Sequence, residues 1–341
     1  MIETPFEGRV YWFGTLPPSE SGIAEYSSRL VPLLKNHLTL IAIDPKHSRS
    51  VPSQLEPSSR KIYHLGNHSI NREVYDLASL HPDIVVMHDT SCFNAIPLPK
   101  KAEHWQNLGV WMPRVEDLVP WLKSFLEKQN LILVHDDDAA CRLRMMGVQT
   151  PVAVVPMPVA LPSSHRPADP EGSFCAGVFG FMGSNRNLSL IDSICSELAV
   201  PLYLVGQPES EFTSSQQGTI TTGWVSTQEW WKYMKKVHFT FNLRYPLMGE
   251  VSLTTLESLA SARPVIVFDA GSYASLPDSA VIKIPPVGKI RDLLYDAIMN
   301  LRDHPRQCRE MGWAGYHFIE SHHTPNRTVK AYLRVLGTNA S

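Results

Sequence analysis

The stretch NLRYPLMGEVSLTTLESLASARPVIVF occupies residues 242–268. It opens on the end of one apolar run, VHFTFNL (237–243), and closes on another, PVIVF (264–268). Both runs have the length and continuity of strands buried on both faces. Ser252 or Thr254 can start a helix that runs to about Ser261. Strand, polar connection, helix and strand imply a parallel sheet with a right-handed crossover. The connection holds Arg244, Gly249, Glu250, Ser252, Thr254 and Glu257. The free N–H groups of the helix start favour an anion. A nearby guanidinium adds a planar donor fork. Glu257, inside the helix, can accept from a pair of vicinal hydroxyls. The constellation reads as a clamp for a sugar-bearing diphosphate.

The same grammar extends outward in both directions. Upstream, RVYWFG (9–14) reads as a strand and SGIAEYSSRLVPLLKNH (21–37) as an amphipathic helix. LTLIAID (38–44), DIVVMHD (83–89), LGVWMP (108–113) and LILVHD (131–136) read as further strands, with PVAVVPMPVALP (151–162) after them. A polar, proline-bearing stretch, SSHRPADPEGS (163–173), reads as a linker and hinge. A second array starts at CAGVFGFMG (175–183) and continues through PLYLVG (201–206), TITTGW (219–224), PVIVFD (264–269) and AVIKIP (280–285). The fold class expected is α/β, with two Rossmann-like, doubly wound domains facing each other across a cleft. Residues 1–162 form the first domain and 174–315 the second, and a C-terminal helix, 316–341, packs back on the first.

Composition narrows the function classes. The chain has 341 residues, enough for two cores, and is 43% hydrophobic and 19% charged. Its net charge of -2 and lack of a basic run give no sign of a nucleic-acid partner. Five dispersed cysteines without CxxC spacing fit reduced thiols. No apolar run reaches the length of a membrane span, and the N-terminus lacks the pattern of a signal peptide. A cytoplasmic protein is expected, with loose attachment to a membrane surface left open.

In open α/β sheets ligands bind beyond the carboxyl ends of the strands. After the first strand, Gly14 and Gly22 allow tight turns and Ser21 can cap the helix. His88, at a strand end beside Asp89, can exchange a hydrogen bond with a substrate hydroxyl. YHLGNH (63–68) adds a polar cluster. HDDD (135–138) reads as an acidic helix start and not as a metal site, because successive residues diverge. In FGFMGSNRN (179–187), Gly180 and Gly183 admit a ligand close to the backbone, and Arg186 suits phosphate.

These residues resemble a known family over nearly the whole length. The chain is similar to retaining glycosyltransferases of the two-Rossmann-domain (GT-B) type, close to glycosyltransferase family 4. PPSESGIAEYSSRLVPLL resembles the family's N-terminal glycine loop, YHLGNH its Y-x-x-GN element, and PDIVVMHD the strand that presents a histidine to the sugar. FGFMGSNRN resembles its phosphate loop, with Arg186 where a lysine is usual. GEVSLTTLESLASARPVIV resembles its two-glutamate motif before a G-x-PV strand, and LPD (276–278) matches a common continuation. There are departures. Six residues separate Glu250 from Glu257 where the family has seven, and Ala262 and Arg263 stand at the G-x positions.

The resemblance implies transfer of a sugar from a nucleoside-diphosphate sugar to a hydroxyl-bearing acceptor (glycan, lipid or small molecule), with retention and with no metal or other cofactor. It implies catalytic roles for His88, Glu250 and Arg186. It places Gly22, Gly180, Gly183, Arg186, Arg244, Glu250, Val251, Ser252 and Glu257 on the donor, and Ser21, Gly22, Asn67, His88 and Asp89 on the acceptor. Three alternatives stay open: a catalytically silent nucleotide- or partner-binding protein, a sugar-nucleotide epimerase of the same fold, and a nucleotide-dependent oxidoreductase. The last lacks a GxGxxG opening the first domain.

Overall fold

The computed structural model describes residues 8–19, 21–44, 55, 56, 58–92, 95, 120–161, 167, 169, 170, 172–208, 212–214, 218–245, 247 and 249–337. The strand expected at 108–113 and most of the linker at 163–173 lie outside them.

The chain divides into two units. The first comprises Met1–Pro158, Met248–Val251 and Pro325–Ser341; the second comprises Val159–Leu247 and Ser252–Thr324. The change of unit therefore falls at Pro158, slightly before the expected boundary, and Gly249, Glu250 and Val251 group with the first unit.

The first unit holds a six-stranded, all-parallel sheet in the order β2-β1-β3-β4-β5-β6. The strands are β1 (Arg9–Phe13), β2 (Thr39–Ile43), β3 (Arg60–Leu65), β4 (Ile84–Met87), β5 (Leu131–Val134) and β6 (Val152–Val154). Helices α1 (Gly22–Leu34), α2 (Arg72–Leu80), α3 (Pro120–Leu126) and α4 (Asp137–Met145) connect them. Ser21 caps α1, its Oγ accepting from the Ala24 amide at 3.1 Å. Ile23, Tyr26, Leu30 and Leu34 put the apolar stripe of α1 in the core. The C-terminal helix expected over 316–341 is divided between two helices. One, Pro305–His322, belongs to the second unit; the other, Pro325–Val335, packs on α1 in the first. Pro325 at the start of the latter favours the break, because its ring cannot continue a helix from the preceding turn. The Tyr26 and Tyr332 hydroxyls meet at 2.8 Å inside that packing.

The second unit holds another all-parallel sheet, in the order β12-β11-β10-β7-β8-β9. Its strands are β7 (Ala176–Phe179), β8 (Leu202–Val205), β9 (Thr219–Gly223), β10 (Phe239–Asn242), β11 (Val265–Phe268) and β12 (Val281–Ile284). The intervening helices are α5 (Leu188–Glu197), α6 (Thr227–Lys236), α7 (Leu253–Ala260) and α8 (Ile290–Asp303). The stretch 242–268 thus runs from the end of β10 through α7 to β11. Strands β7, β8, β10 and β11 are buried along their whole length, which is why they read as unbroken apolar runs.

The Ala262–Arg263 departure has a structural account. Ala262 adopts a left-handed conformation, φ 54°, of the kind glycine takes most readily. Buried Arg263 donates from Nε to the Met234 carbonyl at 3.2 Å and from Nη2 to the Lys235 carbonyl at 2.9 Å. It thereby satisfies free carbonyls at the end of α6. Burial lowers its pKa to about 10.

Candidate functional site

Each sheet reverses its winding direction once, between β1 and β3 in the first and between β7 and β10 in the second. Loops leaving the carboxyl ends of such strand pairs diverge and leave a crevice. Several of the residues singled out in the sequence lie at the carboxyl ends of strands in each unit.

In the first unit, three neighbouring strands each bring a histidine to this end. His64 lies in β3, His88 comes just after β4 and His135 just after β5. His64 Nδ1 is 3.1 Å from His88 Nε2, and His88 Nδ1 is 3.1 Å from His135 Nε2. His135 Nδ1 is 2.9 Å from the Val155 carbonyl oxygen. That carbonyl can only accept, so His135 carries its proton on Nδ1. With neutral rings the other tautomers are set by alternation. His88 donates from Nδ1 to His135, and His64 donates from Nδ1 to His88. The chain ends on the lone pair of His64 Nε2, which is buried without a partner among the described residues. Burial, reinforced by the neighbouring imidazoles, holds His64 and His88 well below the usual imidazole range and so keeps them neutral. Trp12 lies against His64, with ring centroids 3.9 Å apart, and Tyr26 meets His88 edge-on at 4.8 Å.

His88 therefore differs from expectation. Both of its ring nitrogens are engaged by other histidines, and none is left for a sugar hydroxyl. The turn beyond it is more open. Asp89 Oδ2 accepts from the Asn67 amide at 2.8 Å, and Asn67 Nδ2 donates to Ser91 Oγ at 3.4 Å. Asn67, Asp89 and Thr90 are half-buried. Gly22 is exposed, and a Cβ added there would meet no atom of the described residues within 4 Å. Gly249, φ 76°, lies against Thr90; a Cβ at 249 would fall 1.7 Å from Thr90 Oγ1. Glu250 beside it is buried, and Val251 is half-buried. The HDDD run does start a helix: Asp136 caps α4 by accepting from the Ala139 amide at 2.8 Å. Desolvation raises the Asp136 pKa to about 6. Among the described residues no group of three or more His, Cys, Asp or Glu side chains could hold a metal ion.

In the second unit, Gly180 ends β7 with φ 97° and Gly206 ends β8 with φ 128°. A Cβ at Gly206 would fall 2.1 Å from the Gly180 carbonyl oxygen, so these backbones touch. The place a side chain would take at Gly180 is bounded by Thr254 Cγ2 at 3.0 Å, Arg186 Nη2 at 3.8 Å and Trp230 at 4.0 Å. Gly183 begins the short 3₁₀ turn Ser184–Arg186 that delivers Arg186. Arg186 is buried, and its Nη1 donates to Asn242 Oδ1 at the end of β10. Asn242 Oδ1 also accepts from the Tyr273 hydroxyl at 3.1 Å. On its other side, Asn242 Nδ2 donates to Ser252 Oγ at 2.6 Å, to Thr254 Oγ1 at 3.2 Å and to Thr255 Oγ1. Ser252 caps α7 by accepting from the Thr255 amide. Arg244 is half-buried two residues after Asn242, and Glu257 is a buried residue of α7. The second unit thus joins Arg186, Ser252 and the start of α7 through Asn242. Neither Asn242 nor Tyr273 stands out in the sequence. A polar residue closing an otherwise apolar strand is the one signal that points to Asn242.

Known proteins share this architecture. Residues 186–334 match the family model described as "Glycosyl transferase-like". No curated protein matches the chain in sequence at a significant level. Among solved structures, sucrose-phosphate synthase from Thermosynechococcus elongatus is similar at 12% identity and TM-score 0.65, covering 96% of this chain and 98% of that one. HepE from Anabaena, solved with UDP-glucose, is similar at 11% identity and TM-score 0.65, covering 96% and 99%. TarM is similar at 15% identity and TM-score 0.55; the match covers 82% of this chain and only 55% of TarM. The fold is of the GT-B type, and the matched residues 186–334 include most of the second unit.

Proposed function

We propose that this chain is a glycosyltransferase. It moves a sugar from a nucleoside-diphosphate sugar to an acceptor hydroxyl, with retention and without a metal ion. The observation that carries the reading is the network at the switch point of the second sheet, where Arg186, Asn242 and the capped start of α7 surround the space left by Gly180. The GT-B fold supports it, as do related structures that hold UDP or UDP-glucose.

As the bond to the diphosphate breaks, negative charge grows on the leaving group and positive charge on the sugar. A fixed guanidinium and helix amides, already oriented, stabilise the leaving group without reorganising. Arg186, Arg244 and the amides after Ser252 take that role, which a divalent ion would otherwise fill. Glu257 accepts from the ribose hydroxyls and Glu250 from the transferred sugar. The second unit holds the nucleoside diphosphate of the donor. The first unit holds the acceptor, through the Ser21 hydroxyl, Asn67 and the Asp89–Thr90 turn. His88 serves this turn as an anchor, held between His64 and His135.

A calorimetric titration with UDP, GDP, ADP and dTDP identifies the base. Arg186→Ala then weakens the preferred diphosphate by about 2–4 kcal/mol, the scale of breaking a buried charged hydrogen bond. Unchanged affinity in that variant would place the site elsewhere. Transfer and donor hydrolysis are expected to survive EDTA; a complete loss rescued by Mg²⁺ or Mn²⁺ would remove the metal-free mechanism. A second reading, a nucleotide-binding protein without transfer, is favoured by the engaged ring of His88. It predicts diphosphate binding with no turnover of any donor.

A further inference from the structure

The hydrogen bonds around Asn242 have only one consistent direction. Arginine is a donor at every nitrogen, so the atom of Asn242 that faces Arg186 is its oxygen. Tyr273 donates to the same oxygen and fills its second lone pair. The two Asn242 amide N–H groups must then face the hydroxyl cluster, where Ser252 and Thr255 make the closer contacts and accept, and Thr254 Oγ1 lies further off at 3.2 Å. Ser252 Oγ accepts a second time, from the Thr255 amide. With both lone pairs filled, Ser252 has only its proton to offer. It donates to Thr254 Oγ1, 3.1 Å away. Thr254 is left with a hydroxyl proton that has no acceptor among the described residues. Thr254 is half-buried, and its side chain borders the space beside Gly180 that Arg186 Nη2 also borders.

We infer that Thr254 donates its hydroxyl directly to an anionic oxygen of the bound diphosphate, and that Asn242 is the positioning residue that forces this polarity. The inference rests on the nucleotide-diphosphate reading above and adds two residues to it. Asn242 works in two directions at once. It fixes the guanidinium from one side, and from the other it fills the oxygens of the hydroxyl cluster, of which Thr254 alone is half-buried and borders the space beside Gly180. A leucine or a carboxylate in its place would leave Thr254 free to turn its proton inward.

The test uses the full chain, with inorganic pyrophosphate, UDP and uridine as probes in isothermal titration. Thr254→Val keeps the branched shape and removes the proton. It is expected to weaken pyrophosphate and UDP roughly tenfold or more, the cost of a lost hydrogen bond to a charged group, while uridine binding and the melting temperature stay put. Thr254→Ser restores the donor and is expected to recover affinity to within about threefold. Asn242→Asp keeps the shape but reverses the direction of the bonds to the hydroxyls. It is expected to lower UDP affinity without changing uridine affinity, and in its background Thr254→Val is expected to cost less than in the wild type. UDP and pyrophosphate bound equally by wild type and Thr254→Val would overturn the inference and leave the nucleotide reading standing. So would equal costs for Thr254→Val in the two backgrounds. Wild-type protein that binds neither pyrophosphate nor any nucleoside diphosphate would overturn both.

Discussion

At the carboxyl end of each sheet lies a buried polar network, and the two are built on opposite principles. In the first unit, three imidazoles from β3 and the turns after β4 and β5 form a neutral chain. It starts at a carbonyl and ends on an unfilled lone pair. In the second, an arginine, an amide and three hydroxyls form a cluster that carries a cation and ends on an unfilled donor. The first arrangement has nothing to offer an anion. The second offers charge and protons. This contrast is the reason the donor diphosphate is proposed for the second unit. It also accounts for His88, the most conspicuous polar residue of the first, being occupied internally.

The backbone differs in the same sense, and the largest expected effect lies there. Gly206 is locked: its φ is 128°, and a Cβ would penetrate the Gly180 carbonyl at 2.1 Å. Backbone cannot give way as a side-chain tip can. Gly206→Ala is therefore expected to destabilise the protein by roughly 3 kcal/mol, combining overpacking with left-handed strain. Chemical denaturation measures this. A loss below about 1 kcal/mol would mean that the two strand ends can separate, and that the second unit's crevice is less rigid than its contacts indicate.

The polarity of the histidine chain predicts an asymmetry between its ends. His64→Phe leaves only an acceptor, His88 Nε2, unfilled. His135→Phe leaves two rings that share one bond, and in either tautomer one buried N–H is stranded. A stranded donor costs about 1–3 kcal/mol, so His135→Phe is expected to be the more damaging by that margin. Equal losses would show that the stranded N–H finds another acceptor and that the direction of the chain does not set its stability. The same neutrality sets the pH dependence. The folded-state pKa values of His64 and His88 lie below the unfolded value of about 6.5. Their contribution is complete above that pH and is lost as pH falls below it, because unfolding then takes up protons. The slope approaches about 1.4 kcal/mol per pH unit for each proton. His64→Phe is expected to flatten it.

How much of this is legible in the sequence depends on periodicity. Strands buried on both faces, such as VHFTFNL and PVIVF, announce themselves as apolar runs. Strand β3 does not. Its sequence RKIYHL is broken by Lys61 and His64, and it reads as part of a polar cluster. Arg186 and the α7 start are visible because their chemistry is local. Asn242 is not, because its importance lies in partners 10 to 56 residues away, and only the fold brings these together. The same holds for His88. One ring beside an aspartate looks free for a ligand, and the two histidines that occupy it come from separate strands. The Ala262–Arg263 departure looks like erosion of a motif. In the fold, Arg263 has become a cap for the neighbouring helix, which no local pattern encodes.

Ala262 gives a smaller effect of opposite sign. It sits at φ 54° with Gly312 packed on its carbonyl, where a Cβ at 312 would fall 2.1 Å away. Ala262→Gly relieves the left-handed strain but adds freedom to the unfolded chain. A net gain of about 0.5–1 kcal/mol is expected, measured as a higher denaturation midpoint. A loss would show that the alanine methyl makes packing contacts that outweigh its strain.

The smallest expected effect on stability belongs to Gly22, the counterpart in the first unit of the locked glycines in the second. It opens α1, shows no left-handed φ, and has none of the described residues within 4 Å of the position a Cβ would take. Alanine is a better helix former than glycine and restricts the unfolded chain. Gly22→Ala is therefore expected to change stability by no more than about 0.5 kcal/mol, and toward greater stability. That neutrality makes it a clean probe. A methyl group there meets none of the described residues, so an effect on substrate would be separate from an effect on the fold. If the first unit takes part in the transfer as proposed, Gly22→Ala raises the KM for substrate while the melting temperature holds. If the melting temperature falls, the space is filled in the folded protein and the contrast between an open glycine in one unit and locked glycines in the other disappears. If neither quantity moves, Gly22 lies outside the path of the substrates, and the acceptor site narrows to the turn held by His88, Asp89 and Asn67.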